Sequence, residues 1–408
     1  MPGPVRQLTV EEARDHIKGC SFRSPAPDLV GLETEWLVVD RHDAGRRVPF
    51  RPLRAAMAAA GRLPGGAAVT FEPGGQLELS GRPAPGVGAA CEAMATDVAF
   101  AERVLAGRGL QLNGEGHDPN RPPRRVVDTP RYRAMETYFG ADGHDGSRMM
   151  SATAALQINV GMGRRCAARA RWTRANALGP ALVAAFANSP LAAGRPTGWK
   201  SWRLATWRAI DPTRTAPVGA GTGPQAWAEY ALGARVMFIR AEDTNYRPLA
   251  EPLSFEGWLR EGHELGHPTI DDLDYHLTTL FPPVRPRGWL ELRYLDALPD
   301  PWWRVAATVV ATLLIDERAG ARAGLAAAGT EALWIEAARS GLKHPDLAAA
   351  ARACFEATLD AGPRAGADPA SLRLTADSLD RYVAQGRCPA DDRLREVACN
   401  SNNASNGS

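Results

Sequence analysis

Lysine is almost missing from this chain: Lys18, Lys200 and Lys343 are the only lysines among its 48 basic residues, and arginine supplies the rest. Together with the abundance of Ala and Gly this is the mark of a GC-rich genome, so an arginine is not by itself a sign of function. Net charge is nearly absent too, since 48 Lys and Arg against 46 Asp and Glu leave +2. A chain without a basic field is not built to neutralise a polyanion, and no nucleic-acid partner is expected. No run approaches the roughly 18 apolar residues of a membrane span. The best candidate, Val305 to Ile315, is far too short, and no membrane partner is expected either. From Met1 to Cys20 the chain carries Glu11, Glu12 and Asp15 where a secretory signal would need an apolar core, so the expected location is cytoplasmic. Cys20, Cys91, Cys166, Cys354, Cys388 and Cys399 are scattered without a CxxC, which indicates neither a disulfide framework nor a zinc site.

What is present is the composition of a packed protein, 45% hydrophobic and 23% charged over 408 residues, enough for one large domain or two to three smaller ones. No repeat and no composition shift marks a linker. Thr9-Val-Glu-Glu12 reads as a capping box that starts a helix over 9–18. Gly31 to Asp40, Ala68 to Ser80, Leu156 to Val160 and Trp289 to Leu295 read as strands, and Ala89 to Gly107 and Arg169 to Asn188 as helices. Between Gly194 and Gly223 periodicity is lost, which predicts a long functional loop. From Trp302 onward the pattern is helical and rich in Ala. The expected organisation is a single catalytic domain over 1–399, with a sheet core over about 29–299, a helical part over 302–386 and a disordered tail over 400–408.

Alternation along a strand sends Glu33 and Glu35 to one face while Leu32 and Trp36 point to the other. Gln76 and Glu78 repeat the pattern opposite Leu77 and Leu79, with Glu72 entering the Glu-Pro-Gly-Gly turn just before them. Gln157 and Asn159 repeat it again, and so do Glu291 and Arg293 opposite Leu290 and Leu292. Solvated strand faces mix Lys, Thr, Ser and Arg, whereas these positions are nearly all Glu, Gln or Asn. Clustered carboxylates raise one another's pKa unless cations bind them, so the pattern implies hard divalent ions, Mg²⁺ or Mn²⁺, and metal-dependent phosphoryl-transfer or hydrolytic chemistry.

Arg203, Arg208 and Arg214 fall close together among Trp199, Trp202 and Trp207. The residues alone leave two readings open: guanidinium forks for an anionic substrate, or arginines stacked on indoles for packing. His276 reads as a core or capping histidine.

Phe71-Glu-Pro-Gly-Gly-Gln-Leu-Glu-Leu-Ser-Gly81, Phe186-Ala-Asn-Ser-Pro190 and His276-Leu-Thr-Thr-Leu-Phe-Pro-Pro-Val-Arg285 together resemble the glutamate-cysteine ligases. The resemblance is to the branch holding plant enzymes and actinobacterial enzymes of ergothioneine biosynthesis, and it spans roughly Gly31 to Pro299. It implies an α+β, glutamine-synthetase-like fold, a curved and mainly antiparallel sheet forming an active-site funnel with helices outside. It also implies that ATP phosphorylates the γ-carboxylate of L-glutamate and that the amine of L-cysteine attacks the γ-glutamyl phosphate. By the same resemblance Glu33, Glu72 and Glu291 hold one Mg²⁺, while Glu35, Glu78 and Gln157 hold a second, Gln157 standing where more distant members have histidine. Arg203 and Asn159 bind glutamate, Arg214 is a second anion-binding candidate, and Arg293 reaches the transferring phosphoryl group. The enzyme is expected to work as a monomer or small homo-oligomer. A γ-glutamyl ligase with another amine acceptor and a two-metal phosphohydrolase are the competing readings.

Overall fold

The computed structural model of the chain describes residues 7–22, 28–141, 143, 145–219, 221, 223–242, 245–249 and 251–405. Among these residues eight strands form one sheet: β1 (Leu29–Asp40), β2 (Ala68–Phe71), β3 (Leu77–Ser80), β4 (Ala84–Pro85), β5 (Leu110–Asn113), β6 (Ala155–Gly161), β7 (Val284–Pro286) and β8 (Trp289–Asp296). Their order is β7-β8-β6-β1-β3-β2, and the long β1 also pairs β4 at its start and β5 at its end. Every pairing in this sheet is antiparallel. With helices making up most of the remainder, the class is α+β, as expected.

The register decides which side chains meet. Glu33 lies opposite Gln157 on β6, Glu35 opposite Glu78 on β3, and Glu291 opposite Asn159 on one side and Arg285 of β7 on the other. Period-two alternation therefore collects the polar residues of five strands on one face. The opposite face buries Val30, Leu32, Trp36, Leu77, Leu79, Leu156, Ile158, Val160, Leu290 and Leu292. Helix Val87–Ala106 packs beneath β1 and helix Trp302–Ile315 beneath β6. The second of these is apolar all round, buried from Val305 to Leu314, and is enclosed by helices Glu317–Ala326, Pro345–Ala361 and Pro369–Arg381. At about 2 kcal/mol for each buried Leu or Ile, this backing supplies the stability that a crowded polar face lacks.

Four expectations need correction or refinement. The capping box at Thr9 and Glu12 is formed, but the helix it starts runs Val10–Ser21, past Lys18. The run Ala68 to Ser80 is a hairpin, β2 and β3, folded at Glu72–Gln76. Gly75 N–H donates to the Glu72 carbonyl at 2.8 Å and Gly75 adopts φ +88°, which favours glycine, while a Cβ on Gly74 would lie 2.1 Å from the Ser151 carbonyl oxygen. The segment from Gly194 to Gly223 is not one long loop, because Ser201 caps helix Trp202–Ala209 by accepting from Leu204 N–H and Asp211 caps Pro212–Thr215 by accepting from Thr213 N–H. Tail residues expected to be disordered are helical as far as Ser405, in Pro389–Ser405, whereas 406–408 lie outside the described residues. That helix starts on a packed turn, with Cys388 and Ala390 buried and Asp391 accepting from Lys200 Nζ at 2.5 Å. Extending a nucleated helix is far easier than starting one.

Asp296, at the end of β8, explains the Asn188-Ser189 motif. Its carboxylate accepts from Asn188 N–H at 2.8 Å, Ser189 Oγ at 2.7 Å and Ser201 Oγ at 2.8 Å, all buried. Ser189 Oγ in turn accepts from Arg203 N–H at 3.1 Å, so one carboxylate ties β8 to the helix that carries Arg203. Asp296→Ala should destabilise the fold by about 3 kcal/mol or more, because it orphans buried donors, against about 1 kcal/mol for Ser201→Ala. Urea denaturation of the two variants checks this ranking, and equal losses would show that Asp296 is not the hub.

Candidate active site

The polar sheet face forms the floor of a cavity of about 680 Å³. Glu33, Glu35, Glu72, Glu78, Gln157, Glu291 and Arg293 all line it, so every residue expected to hold metal, together with the expected catalytic arginine, meets in one place. The opposite wall adds Arg131, Tyr132, Met149, Trp207 and Phe281.

The carboxylates fall into two electrostatic groups. Burial pushes Glu35 up from 4.5 to about 7, helped by its cross-strand neighbour Glu78. Burial also holds Glu72 well above the usual carboxylate range, with Glu35 and then Glu78 adding repulsion. Glu33 is raised by burial, then by Glu291 and Glu78. Among the carboxylates, Glu72 is influenced most by Glu35 and Glu78, toward which the β2–β3 turn carries it. Gln157 bridges the floor: its amide donates to Glu35 at 3.1 Å and its oxygen accepts from Arg293 at 2.6 Å.

Glu291 differs from the other carboxylates. Burial acts to raise its pKa, but Arg285 and Arg293 outweigh that and hold it near 2. Arg285 grips both oxygens as a fork, with Arg293 at 3.4 Å and Arg287 at 3.6 Å. Its charge is already matched by arginines, which makes it the carboxylate least available to a cation and the one that organises the guanidinium groups. Arg293 also faces the rings of Phe281 and Trp207, at 5.6 and 6.0 Å.

Three of the expected substrate-binding residues are placed elsewhere. Arg214 is fully buried away from the cavity, bonded to Asp211 at 2.8 Å, to the Thr279 carbonyl at 2.7 Å, and to Tyr138 and the Arg235 carbonyl. It is a structural tie between the Pro212–Thr215 turn and the chain after helix Ile270–Leu277. Arg203 lies one layer behind the cavity, donating to the Arg293 carbonyl at 2.8 Å with its guanidinium 5.8 Å from the Trp207 ring centre, and it lines an adjoining small hollow that shares Trp207, Phe281 and Arg293 with the cavity. Arg214 is thus held in packing, and Arg203 is stacked by Trp207 beside the cavity. Asn159 stands beside the floor, donating to Glu33 at 2.9 Å and accepting from Trp289 Nε1 at 2.9 Å, and does not line the cavity. Arg208 is likewise turned to the Thr215 carbonyl. His276 is a core histidine, its Nε2 2.9 Å from the Ala231 carbonyl and its pKa pushed down to about 3 by burial. Sequence reasoning missed Arg285 and Arg287 as site residues. The signal was present in the β7–β8 hairpin, where Arg285 pairs with Glu291 across the register.

The sequence pattern of glutamate-cysteine ligase family 2 (GCS2) matches residues 29–408. The chain belongs to this family. Within it, the glutamate-cysteine ligase EgtA of Mycolicibacterium smegmatis is 42% identical over 396 residues, 95% of this chain and 92% of that protein. Its counterpart from Mycobacterium tuberculosis is 41% identical over 401 residues, covering 96% and 91%. The chloroplastic glutamate-cysteine ligase of Nicotiana tabacum is 29% identical over 248 residues, 59% of this chain and 47% of that protein. A crystal structure of the glutamate-cysteine ligase of Francisella tularensis in complex with AMP shares the fold, with a TM-score of 0.53 at 12% identity over 92% of this chain and 85% of that one. The α+β architecture accords with that shared fold.

The donor set fits divalent cations. Five carboxylates and an amide oxygen line one cavity, and three of the carboxyls, Glu33, Glu35 and Glu72, hold protons more tightly than solvated groups do. A carboxyl raised by folding contributes stability that is fully present below its ordinary value of 4.5 and is lost as pH rises through the folded value, here about 7 for Glu35. A divalent cation should therefore raise the melting temperature more at pH 8 than at pH 5.5, since at pH 8 it relieves repulsion and at pH 5.5 it competes with protons. Thermal scans of the wild type and of a Glu35→Gln, Glu78→Gln double variant check this. A cation shift that is equal at both pH values, or unchanged in the double variant, would remove these residues from metal binding.

Proposed function

We propose that this protein uses ATP to join the γ-carboxylate of L-glutamate to the amine of L-cysteine, giving γ-glutamylcysteine, ADP and phosphate by way of a γ-glutamyl phosphate, and that the product serves ergothioneine biosynthesis. The observation that carries this reading is the meeting, in one cavity, of a carboxylate floor with a rim of arginines at 131, 285, 287 and 293. A phosphohydrolase would use the carboxylates, but it has less use for so many fixed positive charges in the same space.

Glu33, Glu35, Glu72, Glu78 and Gln157 would hold the divalent cations, Mg²⁺ in preference to Mn²⁺, and bound there such ions neutralise charge on nucleotide phosphate oxygens. Arg293 bears on the transferring group: its guanidinium is held from two sides by Gln157 and Glu291. Arg287, half-exposed beside Glu291, would present donors to anionic oxygens, while the enclosed Arg285 keeps Glu291 aligned. Trp207, Phe281, Tyr132 and Met149 wall the cavity and limit water, which would divert the acyl phosphate to hydrolysis. Arg203 acts from behind as a positioning residue, through the Arg293 carbonyl.

ADP release should require glutamate and an acceptor amine together, with L-cysteine the best acceptor. A coupled assay that varies the acceptor checks it, and equal ADP release with neither amino acid present would favour the phosphohydrolase. Arg293→Lys should lower kcat by roughly 10²-fold with little change in either KM, because its contacts strengthen as charge develops in transfer. A change confined to the KM for glutamate would instead assign Arg293 to ground-state binding. Glu33→Gln should weaken metal-dependent turnover by roughly 10²-fold while leaving the fold intact, and near-native turnover at low Mg²⁺ would show that Glu33 only faces solvent.

A further inference from the structure

Helix Val10–Ser21 packs on helices Pro224–Gly233 and Phe255–Glu261, outside the cavity. His16 and Cys20 are four residues apart and so share one face of that helix. Helix Ile270–Leu277 brings Asp274 against them, with His16 Nε2 2.6 Å from Asp274 Oδ1. An imidazole nitrogen, a thiol sulfur and a carboxylate oxygen thereby all lie within 4.8 Å of one another. None is locked in the core: the side chains of His16 and Asp274 are 29% and 53% exposed, and Cys20 is half-buried.

Tetrahedral zinc, with bonds of about 2.0 Å to N or O and about 2.3 Å to S, places its ligand atoms about 3.3 to 3.5 Å apart. Reaching that from the present arrangement needs the His16–Asp274 contact to open by about 0.7 Å and the sulfur to draw in by at most about 1.3 Å, within the range of χ rotations on partly exposed side chains. The helical i, i+4 pair supplies two ligands from a rigid element, the neighbouring helix supplies the third, and the exposed side leaves a fourth position to water. As an ion pair alone, a half-exposed His–Asp contact is worth only about 0–1 kcal/mol.

We propose that His16, Cys20 and Asp274 form a binding site for a borderline divalent cation of the zinc class, separate from the carboxylate cavity, and that the ion clips the N-terminal helix to helix Ile270–Leu277. Donor softness keeps the two sites apart. The cavity offers oxygen donors suited to Mg²⁺, whereas thiolate with imidazole selects zinc-like ions. The clip also bears on the cavity. Helix Ile270–Leu277 leads directly into Thr278, a cavity-lining residue whose carbonyl accepts from Arg131 and Arg285, each at 3.4 Å.

The test uses the full-length protein, stripped of metal, saturated with Mg²⁺ and titrated with Co²⁺, a spectroscopic stand-in for zinc. One equivalent should give a sulfur-to-cobalt charge-transfer band in the near ultraviolet with visible d–d bands, resistant to further Mg²⁺ and displaced by Zn²⁺. Cys20→Ser should abolish the charge-transfer band, and Cys399→Ser should keep it. His16→Asn and Asp274→Asn should each weaken Co²⁺ binding at least about tenfold, since even the loss of an outer hydrogen-bond partner of a metal ligand costs about 10- to 100-fold. Zn²⁺ should raise the melting temperature of the wild type but not of Cys20→Ser. If Cys20→Ser does not fold, the His16→Asn and Asp274→Asn titrations decide alone. The absence of a thiolate band in the wild type, its survival in Cys20→Ser, or Co²⁺ affinity unchanged by both His16→Asn and Asp274→Asn would overturn the proposal.

Discussion

Like charge on one face of a sheet is the constraint on which the rest of this structure depends. Glu35 and Glu78 sit directly opposite each other in the antiparallel register, with Glu72 turned toward them by the β2–β3 hairpin. Cross-strand partners have Cβ atoms about 5 Å apart, and two ionised carboxylates at that separation repel by roughly 3 kcal/mol at an effective dielectric near 20. Several such pairs would rival the whole stability of a domain, about 5–15 kcal/mol. The fold meets the constraint in three ways. Protons are held more tightly at Glu35 and Glu72, Arg293 and Gln157 reach across the floor, and the far face of the same strands is buried against two helices. What remains unbalanced points into the cavity, as carboxylate oxygens suited to a divalent cation.

The arginines show how one residue type takes different work from its surroundings. Arg214 has its donors used by Asp211, Tyr138 and two carbonyls, so nothing is left for a ligand. Arg285 is just as enclosed, and burial lowers its pKa to about 10, with Glu291 opposing the shift. It remains charged at neutral pH and is the lever by which Glu291 is kept ionised. Arg293 has one side on carboxylate and amide and the other open to the cavity. An ammonium group in the same place, held by two partners, would keep a single N–H for a third and lose the planar fork.

Strand alternation carried most of the site in the sequence. Glu33, Glu35, Glu78, Gln157, Glu291 and Arg293 were legible because period-two spacing needs no knowledge of neighbours, and Glu72 because the Pro-Gly-Gly turn that follows it has a defined geometry. The arginines of the 203–214 segment were not legible. Their orientation depends on helix caps at Ser201 and Asp211 buried in an aperiodic stretch, and on partners such as Thr279 that are distant in sequence. The carboxylate neighbours of Glu72 were not legible for a related reason: spacing gives the face of a strand but not the direction in which a turn delivers its first residue. The absence of a CxxC argued against zinc, yet it says nothing of a His and Cys one helical turn apart that meet an aspartate 258 residues away.

A charged floor is useful only if its charges stay where the chemistry needs them, and this explains the buried polar network at the end of β8. The strand register is interrupted between Leu292 and Leu295, so the ladder alone does not fix Arg293. Its backbone is held instead from outside the sheet, its N–H donating to the Pro283 carbonyl at 2.9 Å and its carbonyl accepting from Arg203 at 2.8 Å. Arg203 is anchored in turn through Ser189 to Asp296. The position of the cavity's central cation is thus set by a carboxylate that never meets the cavity. A displacement of about 1 Å at a reacting centre can cost 10²-fold in rate. That is reason enough for the Phe186–Pro190 motif to be spent on hydrogen bonds to a distant aspartate rather than on contacts with substrate.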